Sequence, residues 1–180
     1  RSREEAADAV RELKEAGITK VVMMTGDSER TAAAIAKRVG VDEYYSEVLP
    51  EDKASFVEKE KELGHKVIMI GDGINDSLAL SSASVGIAIS DGAAIAREIA
   101  DVTISADNLH EIVTLKRLST ALMKRIHNNY RTIIGINGGL IALGVTGIIM
   151  PTTSALLHNM STLTISLRSM RNLLPKEEEA

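Results

Sequence analysis

The 180-residue chain contains no cysteine and no tryptophan, and only one phenylalanine and three tyrosines. Without thiols it has neither disulfides nor thiolate metal sites, which suits a cytosol-facing protein. So few rings, and no basic patch interleaved with them, leave no platform for stacking bases, so no nucleic-acid partner is expected. The N-terminus, Arg1-Ser2-Arg3-Glu4-Glu5, lacks both an initiating methionine and the apolar core of a signal peptide. It reads as the interior of a longer sequence. The most telling scarcity is local: Thr132 to Leu167 holds no Asp, Glu, Lys or Arg, so the net charge of −4 belongs to the other residues.

What is present begins with Val67-Ile68-Met69-Ile70, an apolar run that leads into Gly71-Asp72-Gly73-Ile74-Asn75-Asp76. Two carboxylates and an amide on a glycine loop can hold a hard cation such as Mg²⁺ beside a phosphate. The plainer alternative is an acidic strand-to-helix turn with Asp76 as N-cap. The surrounding pattern predicts a helix over Glu4–Ala16 stopped by Gly17, then a strand over Ile18–Met24 ending at Thr25-Gly26-Asp27. A helix from the Ser28 cap through Val39 and one from Pro50 to Leu63 follow, ended by Gly40 and Gly64. Beyond them come a strand at Lys66–Ile70, a short helix at Asp76–Ser82, a strand at Val85–Ile89, a helix at Ala93–Ile99 and a strand at Val102–Ser105. Solid apolar strands alternating with helices predict an α/β fold with a parallel sheet covered on both faces. Ligands of such sheets bind beyond the strand carboxyl ends, where both acidic glycine loops fall.

From Asn108 the pattern is helical through a basic cluster, Lys124, Arg125 and Arg131, and then turns apolar. Thr132 to Met150 is close to the ~20 residues of a membrane-crossing helix, and Pro151 precedes a return segment through Leu167. Basic residues flank both outer ends and none lies at the central turn, which is the pattern of a multi-pass hairpin in a bilayer with both ends in the cytoplasm. The alternative is a buried helical hairpin in a soluble core. The expected domains are residues 1–107, a linker helix at 108–131, two membrane helices at 132–174 and an acidic tail at 175–180. In the second span Ser154, His158, Ser161 and Thr162 share one helical face. An imidazole inside hydrocarbon is by default a functional hypothesis, and it ligates late first-row metals. Hydrogen bonding within the bundle is the alternative for His158, and equally for Ser161, Thr162 and Asn137. Gly135 and Gly139 are most simply helix packing.

Three short motifs need a common explanation. Thr25-Gly26-Asp27 offers a hydroxyl and backbone N–H groups to a phosphoryl oxygen, and Pro50-Glu51-Asp52-Lys53 brings a cation near a helix start. Asp72, Asn75 and Asp76 supply metal ligands. Met24-Thr25-Gly26-Asp27, Leu49-Pro50-Glu51-Asp52-Lys53 and Ile70-Gly71-Asp72-Gly73-Ile74-Asn75-Asp76, followed by Ala79 to Ala88, resemble in order the motifs of the P-type ATPase phosphorylation domain, a Rossmann-like fold of haloacid dehalogenase type. The resemblance covers essentially the whole chain. It implies an aspartyl-phosphate cycle using ATP and Mg²⁺. Thr25, Gly26 and Lys53 would contact the phosphoryl group, with Asp27 and Asn75 in the catalytic set and Asp72 and Asp76 at the Mg²⁺.

The family's nucleophile lies in an Asp-Lys-Thr-Gly-Thr motif, and this sequence has none. Neither Asp8 nor Asp27 has the context to replace it. The expectation is therefore a C-terminal fragment whose partner is the missing N-terminal portion of the same pump, and which forms no phosphoenzyme alone. Two membrane helices after this domain resemble the heavy-metal-transporting branch, found in the bacterial plasma membrane. His158-Asn159-Met160-Ser161-Thr162 looks like the His-Glu-Gly-Ser-Thr motif of cobalt/zinc-type exporters, with Asn159 in place of the Glu and Arg168 in place of a usual Asn. A face of His158, Ser161, Thr162 and Asn137 without thiolates points to a divalent transition metal of zinc, cadmium or cobalt kind. Two alternatives are a membrane-anchored phosphatase, which would need a nucleophilic Asp upstream of Thr25, and a non-catalytic or decayed module, inactive without a separate N-terminal half.

Overall fold

The computed structural model describes residues 2–72, 75–89, 98–104 and 110–173, with side chains from Glu5 onward. The chain divides into two compact units, Arg1–Val113 and Thr114–Ala180. The first carries α1 (Ser2–Glu15), β1 (Val22–Met24), α2 (Glu29–Val39), β2 (Glu43–Tyr45), α3 (Pro50–Glu62), β3 (Ile68–Gly71), α4 (Ser77–Ser82), β4 (Val85–Ile89) and β5 (Val102–Ile104). All described strand pairs are parallel. β1 pairs with β2 from Val22↔Glu43 to Met24↔Tyr45, and β3–β4–β5 form a second sheet in register Ile68↔Val85 and Ile87↔Val102. The expected parallel α/β architecture is present, with its strands in these two groups.

β2 went unforeseen. Glu43-Tyr44-Tyr45 is short and exposed and has no apolar run to announce it. It exists because the Asp42 and Glu43 N–H groups donate to the Val21 carbonyl at 2.8 and 3.4 Å, and because Tyr45 packs its ring 5.3 Å from that of Phe56 on α3. The first strand is correspondingly shorter than its apolar run, starting at Val22. The expected helix at Ala93–Ile99 falls mostly outside the described residues.

The core beneath β3 is built from small side chains. Ala54 and Val57 of α3 meet Ala79 of α4, with Val67, Met69 and Ala83 closing round them. Leu80 and Ala88 form a neighbouring cluster with Met69, Ile99 and Ala100. Burying Val57 and Leu80 contributes about 1.5–3 kcal/mol each, and both are essentially inaccessible. Small residues let helices and strands approach closely, and Gly86 shows the limit: a Cβ there would sit 2.6 Å from the Leu80 carbonyl oxygen.

The second unit contains most of α5 (His110–Val145) and all of α6 (Pro151–Ser169). Asn137 pairs with His158, and Asn129 with Ser169, so the two helices run antiparallel as a hairpin. The apolar stretch expected to be helical from Thr132 to Met150 is helical only to Val145, after which Gly147 turns the chain at φ 70°. Among the described residues no helix is long and apolar enough to cross a membrane. In α5 the helix stops at Val145, so a membrane-length segment of it takes in Asn128, Asn129 and Arg131. In α6 Thr, Ser, Asn and His side chains dilute the apolar residues.

Candidate functional site

Two loops at strand carboxyl ends carry the site in the first unit. After β1, the Thr25 hydroxyl donates to Asp27 Oδ2 at 2.9 Å and accepts the Asp27 N–H at 3.1 Å. The backbone of this turn is tied to the segment after β2. Thr25 N–H donates to the Tyr45 carbonyl, Val48 N–H to the Thr25 carbonyl and Glu47 N–H to the Asp27 carbonyl, each at 3.0 Å. Glu47 adopts φ 53° to make that contact. Thr25 is half-buried and Gly26 and Asp27 are exposed, so the turn is open to solvent.

The second loop follows β3. Asp76 stands at the N-cap position of α4, yet its side chain makes no capping bond. Its carboxylate instead meets Lys53 of α3, Nζ to Oδ1 2.7 Å, with both side chains largely out of solvent. Gly71 makes room for this: a Cβ at that position would fall 2.5 Å from Asp76 Oδ2. Lys53 itself is placed by the start of α3, where Pro50 opens the helix and the Asp52 carboxylate accepts the Leu49 N–H at 3.3 Å. Asp72 is exposed, and its Oδ1 accepts the Asn75 N–H at 3.3 Å. Gly73 and Ile74 lie outside the described residues.

The structure thus joins Lys53 with Asp76 and Asp72 with Asn75, while Thr25 and Asp27 form their own turn. No described hydrogen bond or ion pair links that turn to Lys53 or Asp76. Among the described residues no three His, Cys, Asp or Glu side chains converge on a metal position. Asp72 and Asp76 nevertheless suit Mg²⁺ chemically. Both offer hard carboxylate oxygens, and Mg²⁺ commonly takes one or two protein carboxylates and completes its shell with water and substrate phosphate.

β2 and the residues flanking it also hold partners that sequence reasoning missed. Glu29 accepts from Ser46 at 2.5 Å and from Tyr44 at 2.8 Å, and these hydrogen bonds hold its carboxyl below the ordinary range. Asp42 is lowered likewise, first by Lys14 and then by the Val21 N–H. Polar residues at exposed positions gave no sequence signal for these pairings.

In the second unit His158 Nδ1 lies 2.9 Å from Asn137 Oδ1. With Nδ1 carrying the proton toward that oxygen, Nε2 keeps its lone pair. Ser161 and Thr162 donate their hydroxyl protons to the His158 carbonyl at 2.7 and 3.0 Å.

Residues 1–84, which carry β1 to β3 and both acidic loops, match the haloacid dehalogenase-like hydrolase family. The chain is 37% identical over 170 residues to the zinc-exporting P-type ATPase of Mycobacterium marinum, covering 94% of itself and 23% of that relative. Against the manganese-exporting P-type ATPase of Mycobacterium tuberculosis (strain H37Rv) the identity is 38%, covering 94% and 24%. A solved zinc-transporting PIB-type ATPase in its E2.Pi state superposes with TM-score 0.84 at 32% identity, covering 94% of this chain and 27% of that one. The chain belongs to the P-type ATPases, in their heavy-metal-transporting branch, and spans about a quarter of the length of these relatives.

Proposed function

We propose that this chain is the C-terminal part of an ATP-driven heavy-metal exporter that works through an aspartyl phosphate. The observation that carries the reading is the Lys53–Asp76 pair at 2.7 Å, set beside the Asp72–Asn75 turn at the end of β3. A near-buried lysine held by a loop carboxylate is poised to exchange that partner for a phosphoryl oxygen, whose charge it would then stabilise. Thr25 presents a hydroxyl and Gly26 a backbone N–H from the end of β1, and Asp27 holds the Thr25 hydroxyl in place until phosphate arrives. Asp72 and Asp76 would hold Mg²⁺, which supplies charge neutralisation on the phosphoryl oxygens. Asn75 fixes the loop through its N–H. Among the described residues β1 pairs with β2 alone and β3 with β4 alone, so the strands that bear the motifs each have a side without a described partner. The N-terminal portion of the pump would supply the nucleophilic aspartate and the nucleotide-binding residues.

The α5–α6 hairpin is proposed to sit in the bilayer, with the first unit in the cytoplasm. Residues 114–173 contain no carboxylate side chain, and Ile134, Ile141, Val145, Ile148, Leu156 and Leu163 are all more than half exposed. Such a surface asks for a non-aqueous cover. Oligomerised with further helices, segments too polar to cross alone can be accommodated. His158 would ligate the cargo through Nε2, oriented by Asn137, with Ser161 and Thr162 as weaker oxygen ligands. An imidazole-centred site without thiolate favours a divalent transition metal of the zinc, cadmium or cobalt kind.

The test is acid-stable incorporation of γ-phosphate from ATP. The chain alone is expected to incorporate none. Combined with the N-terminal portion it should form a metal-stimulated phosphoenzyme that Asp72→Asn abolishes. Labelling of the isolated 180 residues, or a combined pump indifferent to Asp72→Asn, would overturn the proposal.

A further inference from the structure

Between the middle of α5 and the C-terminal end of α6 lies a cavity of about 360 Å³, lined by Lys124, Arg125, Asn128, Arg168, Arg171 and Asn172 among others. Its four cations have different duties. Arg125 is committed to structure: its guanidinium donates to the carbonyls of Ser169 at 3.0 Å and Asn172 at 2.9 Å, and also to that of Arg171. It thereby neutralises the carbonyl end of α6 and fixes the segment that carries Arg171. Lys124, Arg168 and Arg171 have no ion pair among the described residues. Residues 114–173 include no Asp or Glu, and the next carboxylates in sequence, Glu177 to Glu179, lie outside the described residues. Positive charge gathered in a concave site with no carboxylate among the described residues suits an anion.

A second cavity, about 330 Å³, adjoins the first and shares Arg168 and Arg171, adding Leu167 and Thr164 one turn along α6. A donor-rich cavity and a more apolar one, hinged on the same two arginines, match a molecule with a phosphate head and a hydrocarbon tail. Arginine suits the head because its planar fork meets phosphate oxygens in pairs. We propose that this cleft binds the phosphate headgroup of an anionic membrane lipid between Lys124, Arg168 and Arg171, with an acyl chain along Leu167 and Thr164. The inference rests on the bilayer placement of the hairpin proposed above, and it adds a lipid site that the transport chemistry does not require.

The experiment uses the full chain and has two arms. In the first, flotation with phosphatidylcholine vesicles reads membrane insertion alone. In the second, a water-soluble short-chain phosphatidylglycerol is titrated against short-chain phosphatidylcholine and inorganic phosphate, with binding read by the shift in thermal unfolding. The expected result is a preference of roughly tenfold or more for phosphatidylglycerol over both. The Arg168→Gln/Arg171→Gln double variant should lose it, and Lys124→Gln should weaken it severalfold. Lys116→Gln, a cation outside the cavity, should leave it unchanged and serves as the folded control. Equal binding of the two lipids, or insensitivity to both cavity variants, overturns the proposal. Saturation by inorganic phosphate at the same concentration overturns the lipid as occupant. Flotation failing while the lipid preference persists would sink the bilayer placement and leave the cleft as an anionic-amphiphile site.

Discussion

Lys53 Nζ and Asp76 Oδ1 are 2.7 Å apart, with side chains only 15% and 11% exposed. Two opposite charges held that far from water stabilise only as a pair. Removing one leaves the other buried without compensation, at a cost of roughly 3 kcal/mol. Lys53→Met should therefore lower the melting temperature of the first unit by many degrees, and Asp76→Leu should do the same. The double variant should recover much of the loss, because no uncompensated charge remains. Circular dichroism melts of the four proteins form a double-mutant cycle, and additive losses would show that the pair is not coupled.

Gly71 and Gly86 look alike in sequence but should fail differently. An alanine Cβ at Gly71 meets the Asp76 carboxylate, Oδ2 at 2.5 Å, whereas at Gly86 it meets the backbone of Leu80, whose oxygen is 2.6 Å away. A side chain can swing aside and a packed helix backbone cannot. Gly86→Ala is expected to cost about 1–3 kcal/mol of stability. Gly71→Ala should instead dislodge Asp76 from Lys53, so that it carries the cost of the broken pair, roughly 3 kcal/mol, and loses phosphoenzyme formation in the combined pump. A Gly71→Ala variant that still forms phosphoenzyme would contradict this.

That contrast also shows what was legible beforehand. The loops at Thr25–Asp27 and Gly71–Asp76 could be read from apolar runs ending in glycine and carboxylate, because buried parallel strands leave a continuous hydrophobic signature. The choice between an N-cap and a site carboxylate for Asp76 could not be read, since it depends on Lys53, twenty-three positions away in sequence. β2 was invisible for a related reason: Tyr44 and Tyr45 are held by Glu29 and Phe56, both distant in sequence, rather than by local alternation. The hairpin showed the reverse problem. Its lack of charge was evident, but α5 stops at Val145, short of the end of its apolar run, and the hydroxyl-rich face of α6 makes that helix less apolar than a count of charges implies.

The corner formed by β1, β2 and α2 should weaken at both extremes of pH. Glu29 and Asp42 have depressed values, the first through Ser46 and Tyr44 and the second through Lys14 and the Val21 N–H. A carboxyl depressed in the folded state stabilises above its unfolded value, about 4, and that contribution is lost as pH falls through the folded value. Tyr44 is raised by its hydrogen bond to Glu29, so its contribution holds below about 10 and is lost as pH rises through the raised value. Protection of the Thr25 and Val48 amides against hydrogen exchange, relative to their intrinsic rates, should fall below about pH 4, since both are bonded across this corner. Glu29→Gln should remove part of that acid dependence, and salt should diminish it because these groups are exposed.

His158 and Asn137 meet through Nδ1 and Oδ1 at 2.9 Å, whereas Ser161 and Thr162 turn their protons to the His158 carbonyl. These contacts rank the transport candidates. Imidazole nitrogen binds late first-row divalent metals more strongly than a neutral hydroxyl oxygen does. Its orientation is supplied by the partner of the other nitrogen, whose loss typically costs 10- to 100-fold in affinity. In the combined pump His158→Ala should abolish metal stimulation of ATP hydrolysis. Asn137→Leu should raise the half-saturating metal concentration by roughly tenfold, with little change in maximal rate. Ser161→Ala and Thr162→Val should have smaller effects than Asn137→Leu, since each loses only a weak oxygen donor. A Ser161 or Thr162 variant as damaging as His158→Ala would move the ligand set to the hydroxyls. An unaffected Asn137→Leu would remove its orienting role, because a freely rotating imidazole would then bind the metal equally well.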